Sequence, residues 1–127
     1  MGFLTDKAKR LIDEKNFASV ATVMRDGSPQ VTPVWVNRDG ELVVFNTAEG
    51  RVKHRNLRRD PTVALSIYDQ NNPYEMVAIR GRVVEMTNTG AEEHIDRLSL
   101  KYTGRKFTHR SGEKRVIIKI KPERISK

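Results

Sequence analysis

Between Leu42 and Pro61 the chain passes from an apolar, β-rich run straight into a short cationic segment that has to stop at a proline. Leu42-Val43-Val44-Phe45 has the β-branched and aromatic character of a strand. Asn46-Thr47-Ala48-Glu49-Gly50 leads on to Arg51-Val52-Lys53-His54-Arg55-Asn56-Leu57-Arg58-Arg59, whose residues form helix readily, and Asp60-Pro61 disfavours any continuation. Such a junction suits a phosphate, because free N–H groups at a helix start and nearby Arg or Lys heads supply donors and charge together. The competing reading is a solvated basic helix, since Arg and Lys on a surface helix are ordinary.

The flanking sequence supplies a scaffold. Ala8, Leu11 and Ile12 recur at helical spacing within Thr5 to Lys15, which predicts an amphipathic helix packed on a sheet. Phe17 to Met24 and Gln30 to Asn37 read as strands joined by the turn Asp26-Gly27-Ser28-Pro29, and Arg38-Asp39-Gly40 turns into a third strand at Leu42 to Asn46. Three consecutive antiparallel strands predict a meander with Thr32 to Val36 beside Phe45 to Thr47. Thr62 to Tyr68 and Met76 to Met86 are further strands across the loop Asp69-Gln70-Asn71-Asn72-Pro73. Gly81 marks a bulge or a close backbone approach. Thr89 to Tyr102 reads as a helix stopped by Gly104, and Arg115 to Lys121 alternates as a final strand with one buried face. Six strands and two or three helices define an α+β, mainly β, antiparallel barrel.

Composition narrows the chemistry. The 127 residues suit a single domain spanning 1–127, and a chain this small leaves roughly a third of its unfolded surface exposed, a shortage dimerisation would ease. With no cysteine there are no disulfides, thiolate metal sites, iron–sulfur clusters or cysteine nucleophiles, so redox chemistry would need a bound cofactor. The net charge of +8 attracts phosphates, polyglutamates, nucleic acid or anionic surfaces alike. No apolar run approaches the roughly 20 residues of a membrane span, and the N-terminus lacks a signal-peptide core, so the expected location is the cytoplasm.

The order of these elements, together with Lys53…Asn56-Leu57…Asp60-Pro61-Thr62-Val63-Ala64-Leu65, resembles the pyridoxamine 5′-phosphate oxidase-like split-barrel flavoproteins. Within them the chain is most similar to the small reductases that use the 8-hydroxy-5-deazaflavin coenzyme F-420. The resemblance runs from about Leu4 to Val116 and is strongest from Phe45 to Pro61. It implies a six-stranded antiparallel split β-barrel of the FMN-binding type with short flanking helices. It also implies a homodimer with the cofactor in the inter-subunit cleft. By the same carry-over, Thr32, Pro33, Val34 and Trp35 flank the ring and Asn46 and Thr47 lie at its polar edge. Arg51 and Lys53 meet the phosphate, with Asn56 and Arg55 contributing. Trp35 has an equal claim to be a plain core or dimer aromatic. Where some members carry adjacent Arg-Lys, this chain has Val52-Lys53, a departure that argues against pyridoxamine phosphate oxidase activity itself.

The implied activity is an oxidoreductase that delivers hydride from F-420 to a conjugated small-molecule acceptor. FMN is the alternative cofactor, for an oxidase or flavin reductase. A non-enzymatic coenzyme carrier or a basic nucleic-acid-binding module is a second alternative, the latter disfavoured by an aromatic content of only 6% and the absence of a recognition motif. No catalytic side chain is identified. His54, His94 and His109 are too widely spaced for a metal cluster, and no serine sits in a nucleophile elbow. Arg58, Arg59, Arg80 and Arg82 read as solvent-facing or interface residues, and Tyr68 and Tyr74 as edge or core residues.

Overall fold

A computed structural model describes residues 3–126 as seven strands and three helices. The helix α1 (Asp6–Asp13) starts where Thr5 accepts a hydrogen bond from the Ala8 N–H, and it buries Ala8, Leu11 and Ile12. Then follow β1 (Ala18–Val23), β2 (Pro29–Val34), β3 (Asn37–Asp39), β4 (Leu42–Ala48), α2 (Val52–Arg59), β5 (Thr62–Asp69), β6 (Asn72–Thr87), α3 (Ala91–Thr103) and β7 (Arg115–Ile125). All seven strands form one antiparallel sheet in the order β2-β1-β5-β6-β7-β4-β3. Its inward side chains, among them Val20, Val34, Phe45, Leu65, Ile79 and Ile118, share one core cluster with those of α1.

Four expectations are corrected. There are seven strands instead of six, and the sheet does not close, since β2 and β3 are its two edges. The extra strand arises because the segment expected as one strand from Gln30 to Asn37 breaks at Trp35-Val36. There the backbone is satisfied by side chains of α3: the Tyr102 hydroxyl accepts from the Val36 N–H at 3.1 Å and Lys101 Nζ donates to the Val36 carbonyl at 2.7 Å. The predicted three-stranded meander is therefore two hairpins, β1–β2 and β3–β4, at opposite ends of the sheet. The loop after Tyr68 is also tighter, because Asp69 pairs with Asn72 across a two-residue turn.

Gly81 serves both of its expected purposes. The β6–β7 register shifts between Arg80 and Gly81, and a Cβ at Gly81 would run into the Lys121 carbonyl. Pro122 lies opposite it, where the disturbed ladder tolerates a missing donor. At its other end α3 stops at Gly104, whose φ of 77° is left-handed.

Candidate functional site

A cleft of about 340 Å³ opens where the end of β4, the start of α2, the break after β2, α3 and the chain before β7 converge. Its local cause is the turn at Gly50, where φ is 88° and the N–H donates to His54 Nδ1 at 3.1 Å. That turn starts α2 with Arg51 as an extended N-cap lacking a side-chain cap bond, and the first helical bond runs from Arg55 N–H to the Arg51 carbonyl. The N–H groups of Val52, Lys53 and His54 have no acceptor within the helix.

One wall of the cleft is cationic. Lys53 is half-buried, and among the described residues it has no ion pair. Burial lowers its pKa, and the charges of Arg51 and Arg115 lower it further. Glu113 is the wall's carboxylate, gripped by Arg51 Nη2 at 3.2 Å and by Arg115 Nη1 at 3.0 Å. Arg110 also lines the cleft, so four basic side chains face a single acid. The opposing wall is apolar. The ring of Trp35 lies nearly parallel to Tyr102 with centroids 5.5 Å apart, Phe107 meets Trp35 edge-on at 6.4 Å, and Ile95 and Leu98 complete it.

Asn46 ties the two walls together. Its Nδ2 donates to the Ala91 carbonyl at 2.9 Å and to His94 Nδ1 at 3.0 Å, while its Oδ1 accepts from Arg115 Nε at 2.9 Å. With Nδ1 accepting, the His94 proton sits on Nε2 and bonds Asn37 Oδ1 at 3.0 Å. Burial, and then the charges of Arg97, Lys119 and Arg115, push the His94 pKa down to about 4, so the ring is neutral at pH 7. Among the described residues the buried Thr47 hydroxyl has no hydrogen-bond partner, and neither has that of Thr32.

The fold thus brings Pro33, Val34, Trp35, Asn46, Thr47, Arg51 and Lys53 to one cleft, although β2 and β4 do not pair. Thr32 and Asn56 do not line it. Asn56 faces a separate recess across α2, with its amide committed to Thr22 Oγ1 at 3.0 Å and to Arg59 Nη2 at 3.1 Å. The residues missed in the sequence are Phe107, Arg110, Glu113 and Arg115. The Arg105–Lys114 stretch shows no periodicity to flag them, and Arg115 reads there as an ordinary strand-end cation.

An open antiparallel sheet thus carries a cationic, aromatic-walled cleft beside a strand-to-helix turn. The chain matches the pyridoxamine 5′-phosphate oxidase family model over residues 4–127. It belongs to that family of split-barrel, flavin-binding oxidoreductases. An F420 reductase superposes with a TM-score of 0.86 at 30% identity, over 97% of this chain and 98% of that one. A conserved hypothetical protein of Mycobacterium tuberculosis gives 0.72 at 24% identity, over 98% and 84%. HupZ of Group A Streptococcus gives 0.70 at 23%, over 97% and 92%. The last two bear on the fold alone.

Proposed function

We propose that the protein is an oxidoreductase that binds the deazaflavin coenzyme F-420 and passes hydride from it to a conjugated organic acceptor. The observation that carries this reading is Lys53, a half-buried ammonium without a carboxylate of its own, beside the uncapped start of α2. Two further cations crowd it, so an incoming phosphate relieves repulsion as well as making hydrogen bonds. Arg51 and Lys53 hold that phosphate. Pro33, Val34 and Trp35 flank the ring from the cleft, with Thr32 beside them on β2, and Asn46 and Thr47 line its polar edge. Trp35, Phe107 and Leu98 exclude water from the acceptor's side. Likeness to an F420 reductase over nearly the whole chain favours the deazaflavin. FMN is the alternative, because Arg51 and Lys53 suit a phosphate monoester equally well.

A second copy of the chain completes the site in this reading. Ser19, Ala21 and Val23 of β1 face Pro33, Val31 and Pro29 of β2, while Ser19 and Ala21 face Ser66 and Ala64 of β5. This small-residue, outward face leaves Val31 63% exposed, and a second copy packed on it would cover that side chain. Calorimetric titration of the purified protein with F-420 and with FMN, at matched ionic strength, tests the assignment. Selective F-420 binding, weakened about 10- to 100-fold by Lys53→Ala, is expected. Selective FMN binding moves the protein to the alternative, and binding of neither overturns both.

A further inference from the structure

We propose that Arg115 selects the acceptor, and that the acceptor is a planar conjugated acid whose carboxylate this guanidinium binds. The inference deepens the function proposed above and rests on it for the acceptor's role, while the anion site itself stands on the geometry of the cleft.

Arg115 is 5% exposed and held on three sides. Nε is fixed by Asn46 Oδ1, Nη1 by Glu113 Oε1 at 3.0 Å, and the guanidinium carbon lies 4.9 Å from the centre of the Phe107 ring. A guanidinium carries five N–H donors, and these contacts leave Nη2 without a partner among the described residues. Nη2 is nevertheless not one of the sealed, unsatisfied atoms of the structure, which are the Thr32 and Thr47 hydroxyls, so it keeps access to solvent. The cleft is the cavity that Arg115 lines. A side chain immobilised by Asn46, Glu113 and Phe107, with one nitrogen left open, loses little further freedom when it binds an anion.

Charge points the same way. Arg51 and Arg115 take opposite oxygens of Glu113, so one carboxylate serves two guanidiniums, while among the described residues Lys53 and Arg110 have no acid between them. A coenzyme phosphate at Arg51 and Lys53 leaves the Arg115 side of the cleft still cationic. Next to that charge stand Trp35, Phe107, Ile95 and Leu98, which offer a flat, apolar seat. A flat ring or enone bearing a carboxylate satisfies both features. A neutral acceptor of the same shape leaves the charge unanswered.

The test compares trans-cinnamate with trans-cinnamamide, which share a conjugated frame and differ in charge. Trp35, the sole tryptophan, reports binding through its fluorescence, without turnover. The titrations use the protein both free of coenzyme and saturated with whichever coenzyme it binds. Cinnamate is expected to bind at least about tenfold more tightly than the amide at pH 7, with the preference weakening as salt is added. Arg115→Gln, checked for folding by circular dichroism, is expected to bring the two ligands within about twofold. Arg115→Lys, which keeps the charge and loses the planar fork, retains part of the preference and serves if the Gln variant does not fold. Equal binding of acid and amide by the wild type, no binding of either, or an undiminished preference in the variants overturns the proposal. A preference without any coenzyme binding upholds the anion site and sinks the proposed function. Coenzyme binding without the preference sinks the role of Arg115 alone.

Discussion

Replacing Tyr102 by Phe removes one oxygen atom from the place where α3 holds the break between β2 and β3. The hydroxyl donates to the Asn16 carbonyl at 2.5 Å and accepts from the Val36 N–H at 3.1 Å, while Tyr102 is 6% exposed and Asn16 3%. The Phe ring keeps its stacking on Trp35 and its edge contact with Phe17, so little apolar area is lost. What is lost is a partner for two backbone groups. The Val36 carbonyl keeps Lys101, but the Val36 N–H and the Asn16 carbonyl do not gain a substitute. At roughly 0.5–1.5 kcal/mol per bond, the change costs about 1–3 kcal/mol. For a chain of this size that lowers Tm by about 4–12 °C. Urea unfolding followed by circular dichroism should show a lower midpoint with an unchanged m-value. A loss below about 0.5 kcal/mol, the range of ordinary surface substitutions, would refute the claim that these bonds hold the break.

Protonating His94 must oppose folding, because its folded pKa of about 4 lies below the unfolded 6.5. Its contribution is complete above pH 6.5 and is lost as pH falls from there through 4, by up to about 3 kcal/mol; His94→Gln should flatten that part of the stability profile. Tyr102, pushed up to about 12 by burial, gives the opposite dependence: its stabilisation is full below pH 10 and lost as pH rises through 12, which ultraviolet difference spectra of the phenolate would follow. Gly81→Ala forces a Cβ onto the Lys121 carbonyl and should destabilise by about 1–3 kcal/mol in thermal melts, with a near-wild-type Tm counting against the close approach. Ala64→Lys, on the outward face of β5, tests the proposed dimer by sedimentation equilibrium: the wild type should run as a dimer and the variant as a monomer, a dimeric variant would place the interface elsewhere, and a monomeric wild type would remove the dimer from the proposal.

Periodicity located most elements within a few residues, because local spacing is what a half-buried strand or an amphipathic helix must display. The Ala8, Leu11 and Ile12 stripe is read directly from residue order, whereas β7, expected to have one buried face, is buried on both at Arg115 to Ile118, because Ile117 packs with Val44 and with Ala91 of α3. The length of β7 was less legible, since Pro122 ordinarily ends a strand and is tolerated here only at the irregular step opposite Gly81. The break at Trp35-Val36 was invisible for a stronger reason. Val36 is as β-prone as its neighbours, and its backbone partners are a tyrosine and a lysine more than sixty residues away.

The same division applies to the site. Residue types and local order by themselves determined the strand-to-helix turn, its glycine, its cations and its proline stop, because these are properties of a short segment. Only the tertiary structure decided that β2 and β4 meet at a cleft without pairing, that Asn46 clasps Arg115, and that Glu113 divides its charge between two arginines. Those contacts join residues distant along the chain through the curvature of one sheet, and packing creates the burial that leaves Lys53 short of an anion.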